Sequence, residues 1–151
     1  MSTDESVTRD LVKVLADGEE GFQTAAMKLV ESDKPQWSST FTTYAQQRAS
    51  FGAELKGLAA TYGDEVSDRG SIAASLHRGW LSVKDAVSGS DPKGVLAAAE
   101  QGEEHTVKAY EDALAETGMS PTLRDVVNRQ FGEVSAAHNA VREMHRAAAA
   151  A

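Results

Sequence analysis

The chain has no cysteine, which excludes disulfides, thiolate metal sites and cysteine nucleophiles together. Prolines number 3, and each falls where a helix would begin and none inside one, so the long periodic segments have no internal breaks. Aromatic residues make up only 6%, so any aromatic cluster in the core has to be built from a handful of side chains. No apolar run approaches the roughly 20 residues needed to span a bilayer. Basic residues are the minority, 15 Lys and Arg against 23 Asp and Glu, for a net charge of −8. With no Lys/Arg run to offset it, that surface repels nucleic acid and anionic lipid, so neither is expected as a partner. The opening segment MSTDESVTRD is polar and acidic, unlike a secretory leader. A cytoplasmic location is the default expectation.

What is present is helical periodicity, and nothing reads as a strand. At 151 residues the chain is expected to form a single domain, 1–151. Leu11, Leu15, Gly18, Phe22, Ala25 and Leu29 alternate steps of four and three, the apolar stripe of a bundle helix. Phe41, Tyr44, Arg48, Phe51, Leu55, Leu58 and Tyr62 repeat that spacing, as do Leu123, Val127, Gln130, Val134, His138, Val141 and His145. Ser2 with Glu5 forms a capping-box pattern, and Asp91-Pro92 and Ser120-Pro121 are cap-plus-proline starts. These signals predict four long helices near 3–31, 35–62, 92–117 and 121–146. A shorter helix is expected near 71–87, with Leu76, Trp80 and Val83 packing onto the outside of the bundle.

Tight joints make helices 1 and 2, and helices 3 and 4, two αα-hairpins. The link between the hairpins, about 63–90, is long enough to run the length of a bundle. One such crossover is the ferritin-like connection, so the expected fold is an all-α, ferritin-like four-helix bundle. An internal duplication points the same way. Asp17-Gly18-Glu19-Glu20 resembles Gln101-Gly102-Glu103-Glu104, and Tyr44 to Phe51 lies against Phe131 to His138.

The segments DGEEGF (17–22), RASFGAEL (48–55), LHRGW (76–80) and GEEHTVKAYEDAL (102–114) resemble an uncharacterised bacterial family. Its members are described as ferritin-like four-helix-bundle proteins of unknown function. More remotely, the chain is similar to ferritins, bacterioferritins and rubrerythrins. The resemblance covers nearly the whole chain and implies a fold, not a reaction.

Di-iron carboxylate bundles use one Glu from each of two helices and a Glu-x-x-His motif from each of the other two. Bridging carboxylates neutralise the two cations and each imidazole terminates one of them. Glu19 and Glu103 stand where the first pair is expected, and His138 lies in the stripe of the fourth helix. Both Glu-x-x-His motifs are broken: the sequence reads Ser135-Ala-Ala-His138 and Arg48-Ala-Ser-Phe51. A full di-metal site is therefore not expected, and neither is any cofactor.

Arg48 stands where a ligand glutamate would be. Two readings stay open: it points inward and pairs with Glu19, Glu103 or both, or it runs its stem along the core and reaches solvent. His138 reads as a hydrogen-bonded core residue in preference to a ligand. His145 and His77 read as surface or rim residues, and Glu20 and Glu104 as members of solvated faces. The expectation is a non-enzymatic bundle with a Glu19/Arg48/Glu103/His138 polar cluster at its centre. The alternative is an iron- or manganese-binding redox or storage protein with the reduced ligand set Glu19, Glu103 and His138. A homodimer stays open, with no face assigned to it.

Overall fold

A computed structural model of the chain describes residues 2–32, 34–66, 80, 82–83 and 92–150. The described residues contain four long helices and no strand: α1 (Thr3–Leu29), α2 (Pro35–Thr61), α3 (Lys93–Leu114) and α4 (Pro121–Ala150). Most of the 71–87 segment, including Leu76 and His77, lies outside the described residues, as does Asp91.

Local chemistry explains where these helices begin and stop. The hydroxyl of Ser2 accepts the Glu5 N–H at 3.1 Å, and Asp4 and Glu5 lie in the first turn, where carboxylates complement the helix dipole. Pro35 occupies the first position of α2, where its missing N–H costs nothing. At the other end, Gly63 adopts φ +84°. Its N–H bonds the carbonyl of Ala60, and the Asp64 N–H bonds that of Ala59, both at 3.0 Å. That paired closure is a Schellman motif, whose left-handed position favours glycine. Ser120 caps α4 by accepting the Leu123 N–H at 3.3 Å. α4 continues through the alanine tail to Ala150.

The helices form a four-membered ring in which α1 packs on α2 and α3, and α4 packs on α3 and α2. The Asp4 carboxylate accepts the Ser120 N–H at 2.8 Å, which sets the start of α1 beside the turn between α3 and α4. α1 and α4 thus run one way, α2 and α3 the other, and the end of α2 and the start of α3 lie at opposite ends of the bundle.

Two apolar clusters fill the interior. One gathers Leu11, Leu15, Phe51, Leu55, Tyr110, Leu123 and Val127 near the start of α1. The other gathers Phe22, Leu29, Phe41, Leu96, Val141 and Trp80 near its end. Between them, at the level of Gly18, Arg48 and Glu103, the core turns polar.

Trp80 is 2% exposed, as its expected packing onto the bundle requires. The indole is wedged between α1 and α3. A Cβ built on Gly21 would stand 2.2 Å from the ring, and one on Gly102 would stand 2.4 Å from it. Glycine disfavours a helix interior, and these two are present because the ring fills the space that a methyl would need. The ring meets Phe22 edge-on at 5.0 Å between centroids. Val83 is also fully buried, so the described part of the link contributes to the core itself.

Candidate functional site

Arg48 comes from the middle of α2, and three/four spacing puts it in line with Phe41, Ala45, Phe51 and Leu55, all buried. It is itself 0% exposed, as is Glu103 on α3. Nη1 of Arg48 donates to Oε1 of Glu103 at 2.5 Å and Nη2 donates to Oε2 at 2.8 Å. This is the two-pronged guanidinium–carboxylate geometry that charge-assisted hydrogen bonding favours most. Nε of Arg48 donates to Gln47 Oε1 at 3.1 Å. The guanidinium carbon lies 5.1 Å from the centre of the Phe22 ring, so an aromatic face covers one side of the cation. Phe22 in turn packs edge-on against Phe41 at 5.1 Å and at a tilt against Tyr44 at 5.4 Å. The Tyr44 phenol is raised above its ordinary value by burial first, then by the Glu103 charge, with Arg48 opposing.

A second polar chain lies nearer the start of α1. The Tyr110 hydroxyl donates to Gln130 Oε1 at 2.8 Å. The Gln130 amide donates to Glu54 Oε1 at 2.8 Å and to the Phe51 carbonyl at 3.3 Å. Glu54 also pairs with Arg129 at the rim. This chain ties α2, α3 and α4 together across the core. Burial pushes the Tyr110 phenol well above its ordinary value, so it remains a neutral donor.

Of the four residues that the sequence places in one cluster, hydrogen bonds join Arg48 and Glu103. Glu19 is partly exposed, and no hydrogen bond or ion pair among the described residues joins it to Arg48. Gly18 of α1 lies beside Arg48: a Cβ there would lie 3.5 Å from the arginine stem. His138 is also only partly buried, and its Nε2 is shielded from solvent without a hydrogen-bond partner among the described residues.

His138 instead belongs to a different group. One donor atom each from Glu100, Glu104 and His138 lie within 4.8 Å of one another. Nδ1 of His145 hydrogen-bonds Glu100 Oε2 at 2.6 Å. Glu100 was not singled out by the sequence, and Glu104 reads there as a solvated residue. The signal that could have found them is a matched spacing. Glu100 and Glu104 are i,i+4 on α3, and His138 and His145 are i,i+7 on α4, so each pair lies along one face of a helix in the same hairpin.

The family described as Domain of unknown function (DUF2383) matches residues 5–116. The chain belongs to this family. No curated protein matches it. The matched range holds nearly all of α1 and the whole of α2 and α3, with Arg48, Glu103, Glu100 and Glu104, and ends before α4. Among the described residues no helix is long and apolar enough to cross a membrane.

Proposed function

We propose that this protein is a ferritin-like helical bundle with a non-enzymatic role, in which a buried ion pair takes the central position that a di-metal centre occupies in ferritins. The observation that carries the reading is the two-pronged Arg48–Glu103 pair in the polar layer between two apolar clusters. Both oxygens of Glu103 are engaged by the guanidinium, so neither is free to bridge two cations. A fixed positive charge beside them opposes the approach of any metal ion. The central residues therefore do not fit a di-metal centre. Support for the ferritin-like relation comes from the helix directions, with α2 ending and α3 beginning at opposite ends of the bundle. Fold likeness alone would not assign a reaction.

On this reading the bundle acts through its folded shape and acidic surface. The test is Fe²⁺ oxidation by dioxygen together with metal analysis of protein purified without chelator. The expected result is an oxidation rate no higher than in protein-free buffer. Two metal ions per chain, or a catalysed rate that Glu103→Gln removes, would overturn the reading.

A further inference from the structure

We infer that the face of the α3–α4 hairpin formed by Glu100, Glu104 and His138 binds one divalent first-row transition cation, with His145 orienting Glu100. The site is separate from the central ion pair. Glu103 points into the core, and its neighbour Glu104 is turned roughly 100° around the helix. The i,i+4 spacing brings Glu100 onto the same face as Glu104. The contact of Glu100 with His145 shows that this face is turned toward α4.

The donor chemistry selects the class of ion. Two carboxylate oxygens and one imidazole nitrogen converge within 4.8 Å. Imidazole suits zinc, iron and their neighbours, whereas magnesium and calcium prefer all-oxygen sets. Three protein ligands leave room for a water or an added donor in a fourth position. Ligand distances of roughly 2.0–2.2 Å require the donors to draw together slightly. Glu104 is exposed, so its side chain can rotate to do this.

Two further features point to an ion. The Nε2 of His138 is shielded from solvent without a hydrogen-bond partner among the described residues, and one nitrogen of the ring stands within 4.8 Å of oxygens of both carboxylates. An imidazole with such a nitrogen next to carboxylates is poorly explained by packing, and a cation shared among the three satisfies all of them. Two carboxylates this close also repel each other unless a cation or a proton intervenes. The Nδ1–H of His145 then supplies the kind of outer hydrogen bond that fixes a ligand carboxylate in place.

The test is calorimetric titration of chelator-stripped full-length protein with Zn²⁺. The expected result is one Zn²⁺ per chain. Glu104→Gln changes an exposed side chain and leaves the helical circular dichroism signal intact, yet it should weaken binding at least about tenfold. His138→Ala should weaken binding further. His145→Ala, which removes only the supporting contact, should cost about 10–100-fold. Glu19→Gln should leave both affinity and stoichiometry unchanged. Absence of Zn²⁺ uptake by the parent would overturn the proposal. So would parent-like affinity in Glu104→Gln and His138→Ala, or loss of the ion in Glu19→Gln.

Discussion

Arg48 and Glu103 face each other through two parallel hydrogen bonds, and neither side chain has any access to solvent. Removing two charges from water is costly, and their attraction compensates only when the geometry is good and the remaining polar atoms are satisfied. Here both carboxylate oxygens accept from the guanidinium, Gln47 accepts from Nε, and the Phe22 ring covers the cation. The pair thus links α2 to α3 across the core, while its net contribution to stability is expected to be small.

Breaking the pair from one side should be expensive. Arg48→Met leaves a buried carboxylate with no partner, and a loss of about 3–5 kcal/mol is expected. Glu103→Leu should cost a similar amount by stranding the guanidinium. The double variant Arg48→Met/Glu103→Leu removes both charges and should recover most of the loss. Urea unfolding of the four proteins in this cycle measures the coupling. Additive losses would show that the two residues act independently.

The glycines of α1 and α3 should divide into two classes by what each one faces. Gly21→Ala and Gly102→Ala drive a methyl into the Trp80 ring, which lies against both glycines. Overpacking of this kind costs about 1–3 kcal/mol. Gly18→Ala meets the Arg48 stem at an ordinary contact distance, so it should be neutral or gain up to about 1 kcal/mol from helix propensity. In a Trp80→Ala background the clash is gone, and Gly21→Ala should become stabilising. Thermal unfolding of the single and double variants checks this reversal of sign.

Much of this arrangement is legible in the sequence, and the limits have physical causes. Three/four spacing locates the helices, and Ser2, Pro35 and Gly63 mark their ends, because capping depends on a few neighbouring residues. The place of Arg48 between Tyr44 and Phe51 in a single stripe allows an inward position, but it equally allows the long stem to reach solvent, and the spacing does not choose between them. Which carboxylate it takes does not follow. The duplication makes Glu19 and Glu103 look equivalent, but a guanidinium that engages one carboxylate with both prongs has little left for a second. The depth of Trp80 is written in Gly21 and Gly102, which are legible as gaps only once the ring that fills them is known. The spacings of Glu100 with Glu104 and of His138 with His145 mark one face on each helix, but these residues converge only through the register of α3 on α4, which spacing within a helix does not report.

Gly63 should resist substitution for a reason of its own. Its φ of +84° lies where a Cβ is unfavourable, and the two closing hydrogen bonds of α2 depend on it. Gly63→Ala is expected to cost about 1 kcal/mol, read as a lower denaturation midpoint with an unchanged m-value. Gly57→Ala is the control: a Cβ there meets no other atom within 4 Å, so it should be neutral or slightly stabilising.

Tyr110 should make the protein sensitive to alkali. Its hydroxyl is buried, donates to Gln130 and is held well above its ordinary value, chiefly by burial. In the unfolded chain the same phenol ionises near about pH 10. Below that pH both states keep the proton, and the full contribution of Tyr110 to stability is present. As pH rises past it, the unfolded chain releases its proton while the folded protein does not, so the free energy of unfolding decreases and stability falls. Tyr110→Phe removes this linkage. The variant is expected to be less stable than the parent at neutral pH, since Gln130 loses a buried partner at a cost of about 1–3 kcal/mol. Its stability should decline less steeply between pH 9.5 and 11.5, a window set by the roughly pH 10 reference. Denaturant unfolding of both proteins across that window measures the two slopes. Parallel slopes would mean that Tyr110 ionises as readily in the folded protein as in the unfolded chain, contrary to the burial seen here.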